Sequence, residues 1–195
     1  MPYAVVLYLD DEADRTVRWM WEELDRRGVP SPGREETGNR PHLTLALFRD
    51  GDPVRLTRAL TPALAVANGL PVELESVGFF LGPRAPAFLN VAPTPQLLNL
   101  HRHVQSLVEP QVTGNSHFYE ATHWLPHCTL AMQAVDFAQK VLSVVADRAL
   151  PIRARASGGR LVYLPERVMS GPTTRDTDIL SGLRPPPPPS WAVTA

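Results

Sequence analysis

The sequence is short of cysteine, of lysine and of long apolar runs. One cysteine, Cys128, among 195 residues excludes an intrachain disulfide framework and leads us to expect a reducing compartment. Lys140 is the single lysine, so the positive charge is carried by arginine, and the formal net charge is only −1. That balance excludes a global basic field for gripping long nucleic acid through its phosphates, while leaving a local basic groove open. No apolar run approaches the roughly 20 residues needed to cross a bilayer. The opening stretch, MPYAVVLYLDDEADR, ends its short apolar run in an acidic cluster, where a signal peptide would need a basic start and a longer core. A cytoplasmic protein with no membrane attachment is the expectation. What is present is a 44% apolar content, enough to bury one good core or two small lobes sharing one. The last stretch, SGLRPPPPPSWAVTA, holds five consecutive prolines and reads as an extended, mobile tail over 181–195, leaving 1–180 as the folded domain.

Strand and helix signals alternate along that domain. Tyr3 to Leu9 is β-branched and aromatic, hence a strand. Asp10 or Asp11 caps a helix in which Ala13, Val17, Met20, Trp21 and Leu24 form one stripe and Gly28 supplies the stop. Residues 29–40 are rich in Pro, Gly and polar groups and read as loop. A helix is expected over Pro53 to Asn68, then strands over Val72 to Leu81 and Ala87 to Ala92 joined by a turn at Gly82-Pro83-Arg84. A helix from Pro95 to Val108 carries the stripe Leu97, Leu100, Val104 and Leu107. A polar loop, a helix over Val135 to Ala149 and one or two strands within Ile152 to Leu164 complete the pattern.

One motif occurs twice. Arg40 to Ala46 reads RPHLTLA, and 85 positions later Leu125 to Ala131 reads LPHCTLA. Both copies are strand-like and each follows a helix and a polar loop, so two halves related by an approximate two-fold axis would bring both strands to one groove. Residues two apart on a strand share a face. His42, Thr44 and Ala46 therefore look one way, as do His127, Thr129 and Ala131, and the small alanines are expected to leave room for a substrate. Two histidines, either of which can be neutral or protonated near pH 7, suit base and acid on opposite sides of a phosphate; a threonine hydroxyl beside each suits an anionic oxygen. No metal or cofactor is called for, because neither motif carries H-x-H or H-E-x-x-H spacing or an adjacent carboxylate. A single such histidine would be read as structural; its repetition with the same front-face hydroxyl tips the reading to catalysis.

These paired His-x-Thr-Leu segments, His42-Leu43-Thr44-Leu45 and His127-Cys128-Thr129-Leu130, resemble the 2H phosphoesterase superfamily, in particular its bacterial branch of RNA 2′,3′-cyclic phosphodiesterases, also called 2′-5′ RNA ligases. The resemblance spans about residues 3 to 180 and is specific at the motifs. It implies a bilobal α+β fold, two pseudo-symmetric lobes each with an antiparallel sheet and flanking helices, and an active groove between them. It also implies metal-independent hydrolysis or transfer of a cyclic phosphate or a 2′,5′ linkage, with His42 and His127 catalytic and Thr44 and Thr129 holding the phosphate. A small nucleotide or an RNA end is the implied substrate, and a monomer is expected. Two alternatives stay open: 2′-5′ ligation by the same residues, and a nucleotide or RNA-end binding module without turnover.

Other residues are weighed beside these. Arg40, at the entry of the first motif strand, Tyr163, on the late strand RLVYL, and His123, in the loop before the second motif, are candidate substrate contacts. Cys128 points away from the front face and reads as a buried, inert thiol. His101 and His103, two apart on a helix, do not face each other and read as surface residues. His117 reads as a solvated loop residue. Phe79, Phe80 and Phe88 read as core, with base stacking as the functional alternative.

Overall fold

The computed structural model describes residues 2–35, 39–81, 86–148 and 150–164. The expected turn at 82–84 and the proline-rich tail at 181–195 lie outside the described residues. In chain order the elements are β1 (Tyr3–Leu9), α1 (Asp11–Arg26), α2 (Pro32–Glu35), β2 (His42–Phe48), β3 (Asp50–Gly51), α3 (Pro53–Val66), β4 (Pro71–Phe79), β5 (Ala87–Val91), α4 (Pro95–Val108), β6 (Val112–Thr113), β7 (His127–Ala131), α5 (Ala138–Ala146) and β8 (Ile152–Tyr163). Among the described residues the expected loops carry three short helical additions: the single turn of α2 and the 3-10 turns Glu109–Gln111 and His117–Tyr119.

Helix starts follow local chemistry. The Asp10 carboxylate accepts from the Ala13 amide, Asp52 accepts from Val54 and Arg55, and Thr94 accepts from Leu97, each satisfying amides that the first helical turn leaves unpaired. Pro53 and Pro95 occupy first-turn positions, where a missing N–H costs nothing. The stripe of α1 is buried as its spacing predicts, with Val17, Met20 and Leu24 fully enclosed. Each such side chain contributes about 1.5–3 kcal/mol by leaving water.

All strand pairs are antiparallel, and six strands form one sheet in the order β2-β1-β8-β4-β5-β7; β3 and β6 form a separate pair. The architecture is therefore α+β, as expected, but the halves share a sheet. The long β8 pairs with β4 through Ile152–Arg155 and with β1 through Ala156–Tyr163, so it belongs to both. It changes partner at a bulge where Gly158 takes a left-handed φ of +94° and Gly159 lies so close to the Val6 carbonyl that a Cβ would stand 2.4 Å from it.

The motif strands β2 and β7 occupy the two edges of this sheet, and they nevertheless pack against each other, so the sheet curls to bring its edges together. The helices cross in the same sense. α1, from the first half, packs against β7 and α5, while α4, from the second half, packs against β2 and α3. Among the described residues no helix is long and apolar enough to cross a membrane.

Candidate active site

Each motif histidine is oriented by its own chain. His42 Nδ1 lies 2.6 Å from the Arg40 carbonyl, and His127 Nδ1 lies 2.7 Å from the Leu125 carbonyl. A carbonyl can only accept, so Nδ1 carries the proton in both rings and Nε2 is left with its lone pair when the ring is neutral. Both rings are half-buried or near it, and burial pulls both pKa values below the ordinary 6.5, against the opposing pull of the two carbonyls. Repulsion from His42 lowers His127 further. The two rings thus feel each other's charge across the groove, and the pair takes one proton more readily than two.

The threonines share the front face with their histidines and are half-buried, while Leu43, Leu45, Cys128 and Leu130 behind them are fully buried. Cys128 is inert, as expected: burial pushes its thiol up to about 12, and it sits by the backbone amide of His42, which places the back of one motif strand against the start of the other.

The alanines depart from the expected alternation. Ala46 and Ala131 are completely enclosed and belong to the core, not the groove. The cause is a bulge at the same place in both motifs. Thr44 pairs with Val6 and Ala46 with the adjacent Val5, so Leu45 is an extra residue; Thr129 pairs with Phe88 and Ala131 with the adjacent Ala87, so Leu130 is extra. One inserted residue shifts the period of two, turning whatever follows it away from the groove.

A bulge also frees carbonyls from the ladder, and here the opposite half supplies the missing donors. Trp21 Nε1, on α1, donates to the Thr129 carbonyl at 3.0 Å; Trp124 Nε1 donates to the Thr44 carbonyl at 2.9 Å. Gln105, on α4, adds a donation to the Leu45 carbonyl at 2.8 Å. The sequence reading placed Trp21 in a core stripe and did not single out Trp124. The signal was available in principle, since a buried indole N–H needs a partner.

His101 is likewise not a surface residue. It is enclosed on α4, stacked on Trp124 with ring centroids 3.9 Å apart, and its Nε2 lies 2.9 Å from the Tyr119 carbonyl. Burial holds its pKa down to about 4, so it is neutral at pH 7. The Tyr119 hydroxyl shares a hydrogen bond with the Thr44 side chain, and burial raises its pKa, keeping it protonated. His103 is exposed, as expected.

The surroundings of the two histidines differ. Beside His42 stands Tyr8, its cross-strand partner, ring centroids 6.5 Å apart and edge to face. The Arg40 and Arg160 guanidinium carbons lie 4.8 and 5.2 Å from the Tyr8 ring centre. Arg40 also pairs with Asp14 at 3.2 Å. Beside His127 stand Phe88 and Phe80, with centroids at 5.0 and 5.2 Å. Phe88 is core, in a space left by Gly78, where a Cβ would meet its ring at 2.5 Å. Phe80, read as core from the sequence, is instead exposed just past the end of β4, so the base-stacking alternative rests on it.

Of the remaining candidates, His123 is exposed on the loop before β7, packed near His117 and Glu120. Tyr163 is exposed at the far end of β8, edge-on to Tyr3. Tyr3 is five residues along β1 from Tyr8, about 17 Å at roughly 3.3 Å per residue, so Tyr163 is not brought to the motif histidines. Among the described residues no three His, Cys, Asp or Glu side chains converge as a metal site needs.

The profile of the 2′-5′ RNA ligase superfamily matches residues 13–164, spanning both motifs and the strands that carry them. The chain belongs to this superfamily. It is a 2H phosphoesterase by that membership. Two solved structures are similar in outline: the MHV ns2 PDE domain, with 14% identity, 85% of this chain and 100% of that chain covered and a TM-score of 0.49, and Kluyveromyces marxianus Usb1 with uridine monophosphate, with 14% identity, 84% and 98% covered and a TM-score of 0.42. Comparison with curated proteins returns no match.

Proposed function

We propose that this protein is a metal-independent phosphodiesterase that hydrolyses a 2′,3′-cyclic phosphate, or cleaves a 2′,5′ linkage, at a nucleotide or RNA end. The observation that carries the reading is the matched orientation of two histidines, each holding Nδ1–H on a carbonyl two residues back and so leaving Nε2 as the working atom. One neutral Nε2 takes a proton from water as the water oxygen forms its bond to phosphorus. The other imidazolium gives its Nε2 proton to the ribose oxygen as that oxygen's bond to phosphorus breaks. The proton count balances, and the pair ends with its protons exchanged. Thr44 and Thr129 donate their hydroxyls to the non-bridging oxygens, whose charge grows in the transition state.

The test is incubation of the purified protein with 2′,3′-cyclic nucleotides, cyclic-phosphate-ended RNA and 2′,5′-linked dinucleotides in excess chelator. Turnover is expected, with a bell-shaped kcat/KM profile. Because burial lowers both histidines in the free protein, its maximum is expected on the acid side of pH 6.5. Activity that disappears with chelator and returns with added metal would overturn the mechanism, and binding without turnover would favour the binding module.

A further inference from the structure

A guanidinium pair stands one side chain away from His42, and the two-histidine chemistry makes no use of it. Three strands set it up in register. Thr44 on β2 pairs with Val6 on β1, and Val6 pairs with Arg160 on β8; in the next row His42 pairs with Tyr8. Cross-strand partners share a face, so Arg160 and Tyr8 belong to the same face of the sheet as His42 and Thr44. The glycine bulge at 158–159, immediately before Arg160, sets the register of this row. Arg160 Nε donates to the Tyr8 hydroxyl at 2.8 Å, which fixes the guanidinium against the ring, and among the described residues its other N–H groups have no side-chain partner. Arg40 approaches the same ring and is held by Asp14, which Arg18 also contacts. Among the described residues, three arginines against one carboxylate leave the cluster cationic. Among the described residues Arg160 has no carboxylate partner. Among the described residues no cation stacks on Phe80 or Phe88, the rings beside His127.

We infer that Arg160 and Arg40, set around the Tyr8 ring, form a second anion subsite that takes a phosphate of the substrate other than the scissile one. Resting on the proposed reaction at a nucleotide end, this is the phosphate on the 5′ side of the reacting nucleotide. The substrate class is then a 5′-phosphorylated nucleotide or an oligonucleotide end, preferred over a nucleoside bearing one cyclic phosphate alone. Arginine suits the task, because its planar fork offers two parallel hydrogen bonds to phosphate and stays charged while stacked on an aromatic face.

The experiment measures binding, so it does not depend on turnover. Adenosine 2′-monophosphate and adenosine 2′,5′-bisphosphate are titrated calorimetrically into the wild-type protein, Arg160→Gln and Arg160→Lys. The wild type is expected to bind the bisphosphate roughly 10- to 100-fold more tightly, as hydrogen bonds to a charged group imply. Arg160→Gln should remove most of that ratio and leave monophosphate affinity unchanged, with Arg160→Lys restoring part of it. Raising the salt should shrink the wild-type ratio. A wild-type ratio near one, or an equal loss for both ligands in Arg160→Gln, overturns the subsite. Failure of the phosphodiesterase reading shows separately, as absent turnover with this binding preference intact.

Discussion

The strands β2 and β7 carry the same backbone device in different company. In both, the histidine clamps its Nδ1 on the carbonyl two residues back, the threonine follows on the same face, an extra leucine makes a bulge, and an indole from the opposite half caps the freed carbonyl. Beyond that the copies diverge: tyrosine and arginines surround His42, and phenylalanines surround His127. The shared part orients both imidazoles alike and sets them near enough to feel each other's charge, as the proposed proton relay needs. In the proposed reaction the unshared part would line either side of the phosphate. On that proposal, chemistry resides in what the halves have in common, and selectivity in what they do not.

The largest effect should come from breaking the shared part. Replacing His42 or His127 by alanine removes one proton-transfer partner and is expected to lower kcat by about 10²–10⁴. Both variants should suffer, since base and acid are needed in one turnover; steady-state kinetics showing either variant at wild-type rate would sink the two-histidine mechanism. Thr44→Val and Thr129→Val should cost less, about 1.5–3 kcal/mol of transition-state stabilisation, the worth of a hydrogen bond to a charged group.

A smaller effect separates the indole supports. Trp124 leans on buried His101, whereas Trp21 packs over Gly33, where an added Cβ would meet the ring at 2.9 Å. The pKa of His101 is about 4 in the fold against 6.5 ordinarily, so between those values the unfolded chain binds a proton that the native state refuses. Its contribution is fully present above pH 6.5 and is lost as pH falls towards 4, by at most about 3 kcal/mol. His42 and His127 add in the same direction. Denaturant titrations at pH 7 and pH 4.5 should show a larger loss for the wild type than for His101→Gln. An identical loss would mean that His101 charges freely in the fold.

The smallest effect concerns the donors themselves. Trp21→Phe and Trp124→Phe keep an aromatic ring and leave one motif carbonyl without its donor, which is expected to cost about 1–3 kcal/mol of stability each. Equal losses in urea unfolding would show that the two halves rely on the device alike. A silent Trp21→Phe would show that β7 is held by packing alone.

Much of this was legible before the fold. The period of two over HLTL and HCTL, the 3.6-residue stripe of α1 and its capping residue Asp10 are local facts, and local physics reads them. The repeat carried more, since it named both histidines and both threonines and implied a common groove. Local reading stopped at the bulges. Ala46 and Ala131 sit two residues past each threonine, yet a single inserted residue, which the motif's own pattern does not betray, turned them into the core.

What the sequence determined by itself is the motif: two His-x-Thr strands that come as a pair, with Cys128 behind the front face. What only the tertiary structure decided is the company those side chains keep. His101 is buried because α4 crosses to lie behind β2, Trp21 reaches Thr129 because α1 crosses to lie behind β7, and Arg160 stands beside Tyr8 because β8 pairs with β1. These contacts join residues scores of positions apart. Their partners are chosen by how the sheet curls and where its edges meet, and no local periodicity records that choice.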